Sequence, residues 1–561
     1  MSLLFLRRRA CSFLCQPSCL FSTSHPASSS SIEASSIFAN TSLWRPGRGY
    51  INGEWTTGSS KGEFGVKNPA TGGIIASLPK MTASDVNDAA DVAFRVWNDS
   101  WKSSTPAQRS AILMKMYNLI MDNVDDLGKI ITLEAGKPFS ESKGEILYAA
   151  SMYKFFAEEA RRSYGTIIPS NVKGRSELVF KQSIGPAALI TPWNFPSAMI
   201  TRKVGAALAA GCSVVIKPSE ETPMSALALC AIAEEAGLPA GVMNCLTVDR
   251  PETVDVGNAM CHSNKFRKLS FTGSTNVGKL LMRECASTVK KVSMELGGNA
   301  PFIVFNDADM DIAIKALLAS KFRNAGQACI ASNRILVQSK IYDEFADRFS
   351  TKVSRLKLGY GLDDGVTMGP VINKQGLEKI SRQVEDCKNK GGKIITMFTI
   401  TFLFIFLQYM HIYIFLHALN VLGSVLCGGS ESENLNKTGG TFFRPTVIRD
   451  VTLDTLPAVE ETFGPMAPLM MFEEEEEAIS IANDSPYGLA AYACTNDLGR
   501  AFRLADQIET GMLGINEGAI SQDSTPFGGI KESGLGKEGS FLGMDEYMES
   551  KFVCMGGLAK S

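Results

Sequence analysis

From Tyr50 onward the chain alternates short apolar runs with stretches of helical period. Tyr50-Ile51-Asn52-Gly53-Glu54-Trp55 predicts a hairpin closed by an Asn-Gly turn. Helices are predicted over Ser84–Trp97, with Thr82 or Ser84 as N-cap, and over Pro106–Met121 and Ser140–Glu159. Glu177–Gln182 alternates as a strand does. Apolar strands then follow at Ala187–Thr191, Ser213–Lys217, Val242–Val248 and Lys268–Phe271, with helices starting near Ser197 and Pro223. Such alternation predicts an α/β fold built on a parallel, doubly wound sheet. Ligands of these sheets lie at the carboxyl ends of the strands. A strand at Ile335–Gln338 and a helix over Tyr342–Lys357 open a second α/β region.

Four predicted strand ends carry polar or glycine-rich residues. They are Thr191-Pro192-Trp193-Asn194-Phe195-Pro196, Lys217-Pro218-Ser219-Glu220, the run Phe271 to Lys279, and Glu295-Leu296-Gly297-Gly298-Asn299 after Lys291–Met294. Gly273 to Lys279 fits the P-loop spacing, but Leu280 stands where magnesium needs a Ser or Thr hydroxyl, which excludes an NTPase. A glycine turn that opens a helix still offers N–H groups and a dipole to a pyrophosphate, so a dinucleotide fits better.

Cys329 is the candidate nucleophile. Small residues surround it (Ala328, Ala331, Ser332), with Gly326 and Gln327 upstream. A thiol that adds to a planar carbonyl needs that room, and backbone N–H groups to hold an oxyanion. The 13 cysteines include no C-x-x-C pair, which fits a reducing compartment better than a disulfide framework. With four histidines, scattered along the chain, a histidine metal site or a Ser-His-Asp triad is not expected, and no metal is assigned. A net charge of −2 argues against nucleic-acid binding. Glu473 to Glu477 reads as the solvated first turn of a helix.

Taken together these segments resemble the aldehyde dehydrogenase superfamily. The resemblance rests on Thr191 to Pro196, Lys217 to Glu220, Phe271 to Gly278, Glu295 to Gly298, Gly326 to Cys329, Glu461-Thr462-Phe463-Gly464-Pro465 and Pro526-Phe527-Gly528-Gly529, all in the family's order. Phe195 to Lys203 and Ile515-Asn516-Glu517-Gly518 look like the branch that oxidises succinate semialdehyde, in 4-aminobutyrate degradation. The resemblance implies Cys329 as nucleophile, Asn194 with the Cys329 N–H as oxyanion donors, and Glu295 as the base that activates water. It implies a dinucleotide held by Trp193, Lys217, Pro218, Ser219, Glu220, Gly273, Ser274, Thr275, Asn276, Val277, Gly278, Glu461 and Phe463. Glu220 accepts from ribose hydroxyls and repels a 2′-phosphate, favouring NAD over NADP. Arg202 and Arg323, with Ser521, would clamp the substrate's distal carboxylate. The rival substrates are glutarate semialdehyde or a neutral aldehyde. Ala331 occupies the position where the branch often has a second cysteine, so no redox pair with Cys329 is expected.

The implied architecture is a Rossmann-like NAD domain (46–165 and 184–297), an α/β catalytic domain (298–545) and a small β oligomerisation arm (166–183 and 546–561), assembled as a homotetramer. Residues 1–40 are rich in Arg and Ser and contain a single acid, Glu33, the composition of an organelle transit peptide. The mitochondrial matrix is expected, with the plastid next. Met397–Leu422 breaks the texture: it is Phe-, Leu- and Ile-rich, carries no formal charge and is long enough for a membrane span. A true span would put Cys329 and Glu461 on opposite sides of a bilayer. A soluble loop of that composition would be an aggregation liability. The favoured reading is translated non-coding sequence, as from a retained intron, with no functional membrane span. An inactive or membrane-associated relative is the rival.

Overall fold

The computed structural model describes residues 33–394 and 428–557, so Met397–Leu422 and the first 32 residues of the expected leader lie outside it. The first sheet is centred on five parallel strands: β1 (Ala187–Ile190), β2 (Val214–Lys217), β3 (Met243–Cys245), β4 (Lys268–Thr272) and β5 (Lys291–Glu295). Their order in space is β3-β2-β1-β4-β5. The order reverses between β1 and β4, and a crevice opens at their carboxyl ends. The hairpin of Gly49–Ile51 and Glu54–Thr56 extends one edge, with Asn52 and Gly53 at φ of 56° and 77° as its tight turn requires. Gly534–Leu535 extends the other edge, so the chain rejoins this unit before residue 545, the expected end of the second.

Helices α1 (Ala198–Ala210), α2 (Pro223–Glu235), α3 (Thr253–His262) and α4 (Thr275–Cys285) cover the sheet. Every residue of α1 is buried, because the helix is packed between the sheet and the Phe139–Glu159 helix. That explains its apolar character on all faces. Val242–Val248 pairs only as β3, since Thr247 turns away: its carbonyl accepts from the Met81 N–H at 2.8 Å and its hydroxyl donates to the Pro79 carbonyl at 2.8 Å.

The second sheet holds β6 (Ala300–Val304), β7 (Ser332–Gln338), β8 (Thr446–Arg449), β9 (Met466–Phe472), β10 (Ala490–Cys494) and β11 (Met512–Ile515), all parallel, in the order β8-β9-β7-β6-β10-β11. The helix after β7 spans Tyr342–Val353 and stops short of the expected Lys357, at the last residue of its buried face. Lys393–Ile394 pairs antiparallel with β8. Gly429 lies against the same edge: its N–H donates to Thr446 Oγ1 at 2.7 Å, and a Cβ built on it would sit 2.4 Å from Ile394 Cδ1. The two flanks of the apolar insert therefore meet, whereas a single membrane crossing separates its ends by about 30 Å. Among the described residues no helix is long and apolar enough to cross a membrane.

Two further findings adjust the sequence reading, and a third describes the arm. Phe38, assigned to the leader, is buried and stacks on Trp44 at 5.1 Å, and the Asn40 N–H donates to Asp126 at 2.7 Å. Glu475 is not a solvated carboxylate: Arg500 and Arg503 donate to it, and their hydrogen bonds pull its pKa down to about 2. Thr166–Ile168, Ser176–Ser183 and Met548–Met555 form a separate three-stranded antiparallel sheet that exposes Ile167, Phe180 and Phe552.

Candidate active site

A cavity of about 450 Å³ occupies the crevice, between the ends of β1, β4 and β5 and the second unit. Trp193, Gly273, Ser274, Cys329, Glu461 and Phe463 line it, with Asn194 and Glu295. Ser274 is the N-cap of α4 and makes no side-chain cap bond, so the first turn presents its N–H groups beside the cavity. Thr275 accepts from the Gly297 N–H at 3.3 Å, while Asn276 and Val277 are exposed on α4. A Cβ on Gly278 would lie 2.3 Å from Leu296 Cδ2, so glycine lets α4 lie close against the loop after β5.

Lys217 ends β2, one strand out from β1, and Pro218, Ser219 and Glu220 follow it; none of the four lines the cavity. Lys217 Nζ stands 3.8 Å from Glu220 Oε2; burial lowers the ammonium pKa, with Glu220 opposing. Opposite them, Glu461 Oε1 accepts the Gly298 N–H at 3.1 Å. Burial pushes the Glu461 carboxyl up to about 7, against that N–H and the charges of Lys379 and Lys321. Phe463, left-handed at φ 56°, sets its ring edge-on to Trp193 at 5.4 Å.

Cys329 follows a tight turn, Arg323–Gly326, with Asn324, Ala325 and Gly326 all left-handed at φ of 52°, 52° and 73°. Such residues persist only where their surroundings over-determine them. Here the Asn324 N–H donates to Glu141 Oε2 at 2.8 Å, and its side-chain amide donates to the carbonyls of Asn194 at 2.9 Å and Gln327 at 3.1 Å. Gln327 in turn donates to Asn324 and Pro370 and accepts from Ile372. Asn194 Nδ2 donates one hydrogen to the Gln327 carbonyl at 3.2 Å, leaving its second for a ligand next to Cys329. Burial pushes the Cys329 thiol up to about 12; Arg202 and Arg323 pull it down, Glu295 and Glu461 push it further up.

Glu295 closes β5 with both carboxyl oxygens buried and unpartnered. Burial, reinforced by Glu538, raises its pKa well above the usual carboxylate range, against Arg202, Lys203 and Lys537. In its ionised form such a carboxylate is a stronger base toward water than an exposed one.

None of the three residues assigned to the substrate is among those lining the cavity. Arg202 is buried over the Phe527 ring at 4.0 Å, with Nη1 unpartnered. Arg323 lies over the Phe195 ring at 5.2 Å, with Nε buried and unpartnered. Ser521 shares a hydrogen bond with the Tyr148 hydroxyl at 2.7 Å. The sequence reading missed Tyr148, Glu141, Glu538 and Lys379. Lys379 lines the cavity from the Lys374–Asn389 helix, whose periodicity gives no hint of it.

Comparison with known proteins identifies the family. The aldehyde dehydrogenase family profile matches residues 55–399 and 414–553, breaking inside the apolar insert. A mitochondrial succinate-semialdehyde dehydrogenase of Arabidopsis thaliana is 47% identical over 511 residues, covering 91% of this chain and 89% of that protein. A glutarate-semialdehyde dehydrogenase of Pseudomonas aeruginosa is 45% identical over 509 residues, covering 91% of this chain and 97% of that protein. The crystal structure of an Escherichia coli NADP-dependent enzyme superposes with a TM-score of 0.85 at 46% identity, covering 92% of this chain and all of that one. The family profile covers most of the chain and the relatives are similar over nine-tenths of it: the chain belongs to the aldehyde dehydrogenase family.

Proposed function

We propose that this enzyme oxidises succinate semialdehyde to succinate with NAD as the hydride acceptor. The observation that carries the substrate is the pair of buried, unpartnered guanidinium donors, Arg202 Nη1 and Arg323 Nε, both close enough to Cys329 for their charge to act on its thiol. An unsatisfied buried donor costs about 1–3 kcal/mol, and a substrate carboxylate removes that cost at both arginines. Ser521, through Tyr148, adds a hydroxyl beside Arg202.

The crevice fits a dinucleotide. It offers the N–H groups of α4 to a pyrophosphate, Glu461 to a ribose, and Lys217 with Glu220 at the next strand end. When bound, the cofactor supplies the acceptor for the hydride that the aldehyde carbon gives up. Glu220 favours NAD because a carboxylate repels a 2′-phosphate.

The chain's own residues do the rest. Cys329 Sγ, as thiolate, adds to the aldehyde carbon, and Asn194 Nδ2 and the Cys329 N–H hold the oxyanion. After oxidation the acyl group is a thioester on Cys329. Glu295 takes a proton from the attacking water, and the acid leaves as the thiol is restored. Glutarate semialdehyde is the second reading, favoured by the Pseudomonas aeruginosa relative. One methylene in a pocket discriminates by about 10–200-fold, so both substrates need measuring.

The enzyme acts in the mitochondrial matrix, a reading supported by the Arabidopsis thaliana relative, whose name places it in the mitochondrion. Its leader ends before Phe38, which packs into the body. A tetramer forms through the arm, where Ile167, Phe180 and Phe552 await cover. The test is formation of reduced nicotinamide by purified protein starting at Glu33, with and without Met397–Leu422. NAD and NADP are each paired with succinate semialdehyde, glutarate semialdehyde and butanal. Fastest turnover of succinate semialdehyde with NAD is expected, and equal turnover of butanal would defeat the reading.

A further inference from the structure

Five N–H groups leave the Arg202 guanidinium, and its surroundings use them unequally. Nε donates to Glu538 Oε2 at 2.7 Å, Nη2 rests against Met199 Sδ at 3.1 Å, and Nη1 has no partner. The Phe527 ring covers one face at 4.0 Å. Glu538 and Phe527 are themselves locked together, each donating its N–H to the other's carbonyl at 2.7 Å. The ledge under the guanidinium and the carboxylate on its edge are therefore one piece of backbone.

The other Glu538 oxygen is paired with Lys203, whose Nζ also donates to Ser270 Oγ at 2.9 Å. Arg202, Lys203 and Glu538 are all buried, and together they carry two positive charges and one negative. Nη1 is the end of this cluster left without a partner, and so the point at which a carboxylate can meet it. A buried charge left uncompensated is costly, so a site built this way favours a ligand that brings one negative charge to that point.

We infer that Glu538 is a positioning residue that sets the preference for aldehydes bearing a distal carboxylate, by fixing Arg202 so that Nη1 alone faces the substrate. The inference rests on the substrate reading above and deepens it. Arg202 touches the substrate; Glu538 acts through Arg202.

The test is a double-mutant cycle read as the ratio of kcat/KM for succinate semialdehyde to that for butanal. The enzymes compared are the parent, R202A, E538Q and the R202A/E538Q double variant, with E538D beside them. E538D keeps the charge but cannot reach both cations, so it decides the matter if E538Q fails to fold. The ratio is expected to fall about tenfold or more in R202A and in E538Q or E538D, chiefly through KM for the acidic aldehyde. The double variant should fall no further than R202A, because the two residues act as a unit. A ratio that drops in R202A but stays within about twofold in E538Q and E538D overturns the inference and leaves the substrate reading standing. Equal losses on both aldehydes in the Glu538 variants, or multiplied losses in the double variant, also overturn it. An unchanged ratio in R202A defeats the substrate reading itself.

Discussion

The Asn324 N–H donates to Glu141 Oε2 at 2.8 Å, tying the left-handed turn before Cys329 to a helix more than 180 residues earlier in the chain. Glu141 belongs to the Phe139–Glu159 helix, which also packs on α1, the carrier of Arg202. One helix thus braces both the turn before Cys329 and the helix that carries Arg202. Replacing Glu141 by Ala leaves the Asn324 N–H without a partner. A stability loss of about 1–3 kcal/mol is expected from denaturant titration. A larger drop in kcat than in 1/KM should accompany it, as the Cys329 turn loses its brace.

Burial holds the Cys329 thiol at about 12 in the ligand-free enzyme, so the thiolate is scarce at neutral pH. Iodoacetamide alkylation of Cys329, followed by mass spectrometry, should accelerate about tenfold per pH unit from pH 7 through 10, since only the thiolate reacts. Arg202 and Arg323 lower this pKa, so R323A should slow alkylation at a fixed pH. A plateau already reached at pH 7 would contradict the assignment.

Glu461 titrates near 7 because it is buried, and its charged form is the better acceptor for a ribose hydroxyl. The raised pKa means the carboxyl is protonated below that pH and ionised above it. Dinucleotide Kd, measured by fluorescence quenching, should tighten between pH 6 and 8. In E461Q it should be weaker and flat across the same range.

A Cβ at position 326 would lie 2.2 Å from the Gly464 carbonyl oxygen, at a φ of 73° that side chains rarely adopt. Neither obstacle can yield without moving backbone. G326A should therefore lower the melting temperature and abolish turnover together, while an alanine at Gly144, which meets open space in a helix, should not.

How much of this the sequence discloses depends on whether a role is local. Asn194, Gly273 and Glu295 follow predicted strands directly, so strand periodicity and a crevice rule place them at one site. Leu280 sufficed to discard a P-loop. Glu538 and Lys379 are different. Each is an ordinary charged residue until tertiary packing sets it against Arg202 or the cavity, and neither spacing nor periodicity reports that. Phe38 was misplaced because a Ser-rich composition extends past the point where packing begins, and Glu475 because its partners, Arg500 and Arg503, lie on a later helix.

The most direct test of the account is the preference for an acidic over a neutral aldehyde of equal carbon number. The ratio of kcat/KM for succinate semialdehyde to that for butanal should be measured in the enzyme lacking Met397–Leu422 and in its R323A variant. Two charge-assisted contacts of about 1.5–3 kcal/mol each predict a parent ratio on the order of 10²–10⁴, falling by about 10–100-fold in R323A. A parent ratio near one, or a ratio that R323A leaves in place, would contradict the claim that this site is built to read a carboxylate.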